Sequence, residues 1–103
     1  MKKFVYFETA SNDAIMLPLD NYLGTHLDNK VNTVKLFFAK VDNAFDVSSV
    51  TIGTKTFKGL EAMEDLHAAF ASDPKDGFIM IGNDNDANFT NLENVTDVGA
   101  ITL

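Results

Sequence analysis

The chain has 103 residues, 46% of them hydrophobic, with nine Phe, no Cys and a formal net charge of −7. That length predicts one domain, 1–103, burying roughly 65% of the surface its unfolded form exposes. The absence of Cys excludes disulfides and thiolate metal centres. No apolar run approaches the ~18 residues of a membrane span, so no membrane partner is expected.

All eight basic residues are Lys. Residues 1–58 hold seven Lys against six acids, a balance of +1; residues 59–103 hold Lys75 against nine acids, a balance of −8. An acidic solvated surface explains this division, and so does a subunit with one near-neutral and one acidic side, suited to head-to-tail contacts between copies. The start, "MKKFVYFET", is broken by Glu8 and does not read as a signal peptide.

In chain order, "KFVYFET" (Lys3–Thr9) is aromatic and β-branched and reads as a strand. "SNDA" is a turn, and "AIML" a short strand ended by Pro18, which cannot donate to a central ladder. "DNYLGTHLDNKVN" (Asp20–Asn32) reads mostly as loop. "TVKLFFAKV" (Thr33–Val41) is apolar on both faces, so it is expected to be central or to lie against a partner chain. "VSSVTI" (Val47–Ile52) follows. Gly53 and Thr54 then read as a two-residue hairpin turn into "KTFK".

Residues Gly59–Ala71 are predicted to be the one good helix. Leu60, Met63, Leu66 and Phe70 recur at helical spacing, Glu61, Glu64 and Asp65 lie in the first turns, and Pro74 bars continuation. "GFIMIG" (Gly77–Gly82) reads as a buried strand. About 15 polar residues then lead to the C-terminal strand "VGAITL". Strands without βαβαβ alternation predict a mainly β fold with one helix: a small, strongly bent barrel or a curved sheet capped by the helix. The alternative is an α+β sheet with one packed helix.

Chemistry is sparse. "GNDNDANFTN" places Asp84, Asp86 and Asn88 as the first, third and fifth residues of an EF-hand loop. Position six, which needs Gly, is Phe89; position twelve, which needs a bidentate Glu, is Val95. The calcium reading is therefore weak, and no metal or cofactor is expected. Asn83, Asn85 and Phe89 are candidates for a loop or subunit contact. His67 follows Glu64 by one helical turn, an arrangement for a carboxylate-oriented base, but also that of a His at the core margin. His26 lies near Asp28 in sequence. With no Cys, no G-x-S-x-G elbow and no glycine-rich phosphate loop, the chain is not expected to be an enzyme.

A nucleic-acid reading has both signs. The net charge and the absence of Arg oppose it. The early lysines favour it, interleaved as they are with aromatic residues. The candidates are Lys35, Lys40, Lys55, Lys58, Phe37 and Tyr22.

Taken together, "TASNDAIMLPLDNYLG", "TVKLFFAKV", "LEAMEDLHAAF" and "VGAITL" resemble, over the whole chain, a family of small ocean-metagenome proteins attributed to cyanophages. The resemblance implies an Sm-like β-barrel, assembly with itself into a cyclic homo-oligomer, and RNA or single-stranded DNA as a further partner, in the host cytoplasm or the virion. The family has no established function. The chain departs from ordinary Sm proteins in placing its helix after several strands, and no Arg or Lys follows Gly82-Asn83-Asp84, so no nucleotide-binding residue is carried over. The expected joints between copies are the edges of "TVKLFFAKV" or "VGAITL". The rival function is a virion structural or capsid decoration protein.

Overall fold

The computed structural model describes residues 2–9, 13–28, 30–40, 47–83 and 92–102. Seven strands and one α-helix occur among them: β1 (Phe4–Glu8), β2 (Ala14–Pro18), β3 (Tyr22–Asp28), β4 (Thr33–Ala39), β5 (Val47–Thr54), α1 (Gly59–Ala71), β6 (Phe78–Asn83) and β7 (Val95–Thr102). The fold is mainly β with one helix, as composition and patterning predict.

The strands form two sheets. The first has the order β2-β1-β6, with β1 antiparallel to β2 and parallel to β6. The second is an antiparallel meander in the order β3-β4-β5-β7. The two ladders are not joined into a closed barrel among the described residues. They share one core. Val5, Phe7, Leu17, Ile79 and Ile81 come from the first sheet, Val34, Leu36, Phe38, Val50, Ile52 and Val98 from the second. The rings of Phe7 and Phe38 meet edge-on with centroids 6.1 Å apart, a favoured aromatic geometry that ties the sheets together.

The helix α1 packs against β3, β4 and β6 and adds Ala62 and Leu66 to the core. Its limits agree with the sequence reading. Its apolar face does not quite: Leu60 is 61% exposed, whereas Gly59, Ala62 and Leu66 are buried. At 100° per residue, Leu60 stands about 120° around the helix from Leu66, so it cannot share Leu66's neighbours. The side chain of Lys3 donates to the carbonyl of Phe70 at 3.3 Å, placing a cation at the negative end of the helix. Asp65 Oδ2 accepts two hydrogen bonds from Asn94, one from its backbone N–H and one from Nδ2, both at 3.1 Å. The helix is thereby pinned to the chain that enters β7.

Four local expectations are corrected. The segment expected to be loop contains β3, whose inner residues Tyr22, Thr25 and Leu27 alternate with Gly24, His26 and Asp28 outside; Gly24 and the polar outer residues hide the strand from an apolar count. Gly53 and Thr54 do not turn the chain but continue β5, opposite Asp97 and Val95. A Cβ at Gly53 would lie 2.0 Å from Asp97 Oδ1, so glycine here makes room for a cross-strand side chain. β6 is apolar on both faces yet buried on one: Ile79 and Ile81 are buried, Phe78 and Met80 exposed. β4 is the interior strand its sequence suggests, but it is paired on both sides, by β3 and β5. It therefore cannot accept a strand from another copy, whereas β7 is a sheet edge among the described residues.

Candidate nucleic-acid interface

The outward side chains of the second sheet form the best candidate site. Strand register places His26 beside Lys35 and Lys35 beside Thr51; one step along, Gly24 faces Phe37 and Phe37 faces Ser49. Alternation fixes this set. Since Val34, Leu36 and Phe38 are buried in the core, Thr33, Lys35 and Phe37 must face outward. The neighbours are small, and a Cβ added at Gly24 would meet nothing within 4 Å, so the flank of Phe37 is open.

The result is a shallow trough made of two adjoining cavities. One, of about 400 Å³, is lined by Leu23, Gly24, Thr25, His26, Phe37 and Val47. The other, of about 440 Å³, is lined by His26, Asp28, Val31, Thr33, Lys35, Phe37 and Thr51. His26 and Phe37 belong to both. The half-buried ring of Phe37, which lines the trough near Lys35 with hydroxyl groups around it, can stack a planar group and place a cation near an attached anion. Asp28, and Asp97 over Gly53 on the same face, offset that positive charge, so stacking is the larger contribution on this face.

The other candidates are distributed differently. The Tyr22 ring packs against Phe38 and Phe70, with centroids 5.6 and 5.2 Å away, and its hydroxyl pairs with that of Thr25; it belongs to the core margin, not the trough. Lys40 follows β4 at the end opposite Lys55 and Lys58. Lys55 and Lys58 are exposed in the loop joining β5 to α1. His67 is exposed and lines a separate cavity of about 320 Å³ with Tyr22, Thr25, Met63, Leu66 and Phe70. The calcium candidates Asp84, Asp86 and Asn88 lie outside the described residues, as do Asn85 and Phe89; Asn83 ends β6, and its side chain is outside them too. Among the described residues, no three His, Asp or Glu gather as a metal site, and no helix is long and apolar enough to cross a membrane.

Sequence reasoning missed His26 and Gly24 as trough residues because it missed β3. The available signal was the alternation of Tyr22, Thr25 and Leu27 with polar or small residues, interrupted by one irregular position at Leu23.

A second surface stands out on the first sheet. Its outward residues are Phe4, Tyr6 and Glu8 on β1, Ala14, Met16 and Pro18 on β2, and Phe78 and Met80 on β6. Met16 is 55% exposed, and Tyr6 stacks at a tilt on Phe78 with centroids 5.6 Å apart. Apart from Glu8, these side chains carry no charge, and the Tyr6 hydroxyl donates to Glu8 Oε1. That hydrogen bond, then partial burial, then the negative charge of Glu8, hold the Tyr6 phenol above the ordinary tyrosine range.

No protein-family model, curated protein or solved structure matches the chain.

Proposed function

We propose that the protein is a non-enzymatic binding module that holds a segment of single-stranded RNA or DNA across the outer face of the β3-β4-β5-β7 sheet. The observation that carries this reading is the trough whose two halves share Phe37 and His26. A base stacks on the Phe37 ring, Lys35 lies beside the sugar–phosphate chain, and the hydroxyls of Thr33, Ser49 and Thr51 serve as polar contacts. Assembly through the open edge of β7, in an Sm-like ring, would align several troughs on one surface and raise their joint affinity. The support for this assembly is the sequence resemblance together with the position of β7 as a sheet edge among the described residues.

The test is fluorescence anisotropy with labelled oligothymidine and oligouridine. Stacking is worth about 1–3 kcal/mol per base, so Phe37→Ala should weaken binding roughly 5- to 150-fold. Gly24→Leu should fold normally, because its Cβ meets open space, yet fill the trough and weaken binding as well. Lys35, the one lysine on the face, should contribute about −0.7 to the salt slope, a contribution that Lys35→Gln removes. Absence of binding at low salt would dispose of the proposal.

The second reading is a virion structural protein, and the apolar outer face of β2-β1-β6 favours it. That face suits a shell or a neighbouring subunit. Mass spectrometry of purified particles tests it: abundance near that of the shell protein supports the reading, and absence rejects it.

A further inference from the structure

We infer that Phe57 is a second stacking platform, taking a nucleobase of the same strand where it leaves the sheet trough, and that the chain holds this ring outward in a strained backbone conformation. This rests on the single-strand reading above. Three observations converge on Phe57. Its φ is 59°, in the left-handed region that a bulky side chain rarely adopts. It is 80% exposed, so core burial does not compensate the strain. It stands between Lys55 and Lys58, both exposed.

The loop is fixed rather than loosely attached. The backbone N–H of Phe57 donates to Asn32 Oδ1 at 3.3 Å, and that of Thr54 to the Asn32 carbonyl at 2.8 Å. Lys58 N–H closes a tight turn onto the Lys55 carbonyl at 2.9 Å. Asn32 is itself left-handed, with φ of 53°, a conformation asparagine adopts more readily than phenylalanine. Strain retained at an exposed, hydrogen-bonded position is characteristic of ligand clamps.

Position identifies the occupant. Val31, next to Asn32, lines the trough, so the Asn32 hydrogen bonds set the Phe57 loop at the trough's end. Phe37 and Thr33 are four positions apart on β4, about 14 Å along the sheet, and the Phe57 loop follows directly. An extended strand of several nucleotides can thus lie on both rings. Lys30, in the same turn as Asn32, joins Lys55 and Lys58, so the two hydrogen-bonded turns that hold the second ring carry three exposed lysines. The nearby acids are Asp28, whose Oδ1 accepts the Lys30 N–H at 3.0 Å, exposed Asp97, whose carboxylate lies over Gly53 opposite Thr33, exposed Glu93, next to the Asn94 whose carbonyl accepts the Lys55 N–H, and half-buried Glu61. The sheet therefore supplies stacking with little charge, and this loop supplies the charge.

The test measures melting temperature and oligothymidine affinity for wild type, Phe57→Gly, Phe57→Trp and Phe37→Ala. Glycine takes positive φ without a Cβ penalty, so Phe57→Gly should melt no lower than wild type while binding on the order of tenfold more weakly. Phe57→Trp should bind as well as wild type, with its fluorescence quenched by the oligonucleotide. If Phe37→Ala weakens binding but Phe57→Gly does not, this inference alone fails. If Phe57→Gly melts lower as well as binding more weakly, the ring is a packing residue and the inference fails. If Phe57→Gly instead removes salt-sensitive self-association and leaves oligonucleotide affinity intact, the partner is the acidic part of a second copy. If wild type binds no oligonucleotide, the parent reading falls and this one with it.

Discussion

Phe38 lies in a run of ring contacts that links both sheets to the helix, and truncating it tests the shared core directly. It is fully buried, meets Phe7 of the opposite sheet at 6.1 Å and Tyr22 of its own at 5.6 Å, and Tyr22 in turn meets Phe70 of α1 at 5.2 Å. Phe38→Ala removes a buried ring and leaves a cavity, at a cost of about 3–5 kcal/mol. A domain of this length has a total stability of about 5–15 kcal/mol, so the variant should be marginal. With a urea m-value of about 2 kcal/mol/M, the midpoint should fall by about 2 M at unchanged slope. The inter-sheet contact is isolated by a double-mutant cycle between Phe7→Leu and Phe38→Leu, with an expected coupling of about 0.5–1.5 kcal/mol. The control pairs Phe38→Leu with Phe4→Leu, whose ring faces outward from β1, and should show coupling near zero. A loss below ~1.5 kcal/mol in Phe38→Ala, or equal coupling in the two cycles, would refute a core shared by both sheets.

Two further expectations concern polar contacts. Asp65→Ala should cost about 2 kcal/mol, because a carboxylate that accepts two bonds from Asn94 is lost and the backbone N–H is left without that partner; equilibrium unfolding measures it, and a change under ~0.5 kcal/mol would show that the helix is not pinned there. For Tyr6 the folded-state pKa lies above the unfolded one. Its contribution is fully present below the ordinary tyrosine pKa and is lost as pH rises through the folded value. Ultraviolet titration should show one late-ionising phenol that moves toward the ordinary range in Glu8→Gln; an unchanged titration in that variant would remove Glu8 as the cause.

The helix and most strands were legible because their signals are local. Leu66 and Phe70 at helical spacing, with Pro74 beyond, mark a helix in any context, and alternation in "TVKLFFAKV" marks a strand. The errors arose where a distant segment decides. Gly53 looks like a turn glycine until Asp97, forty-four residues on in sequence, is seen to lie against its open side. β3 looks like a loop until β4 supplies its ladder. The candidate site was legible as residue types, Lys35 and Phe37, but not as a place, since Gly24 and His26 reach it only through cross-strand pairing.

Composition and periodicity, then, determine the class of fold, the position and limits of the helix, and the absence of thiol chemistry, because each depends on properties of single residues or of neighbours within a few positions. Tertiary structure decides which strand is an edge, which apolar face is left uncovered, and which lysines stand beside an accessible ring. Those are properties of pairs far apart in the chain, fixed by hydrogen-bond register and by the shared core. Phe57 illustrates the division: the sequence presents one more Phe among nine, and only the hydrogen bond to Asn32 and the positive φ show that it is held out in solvent.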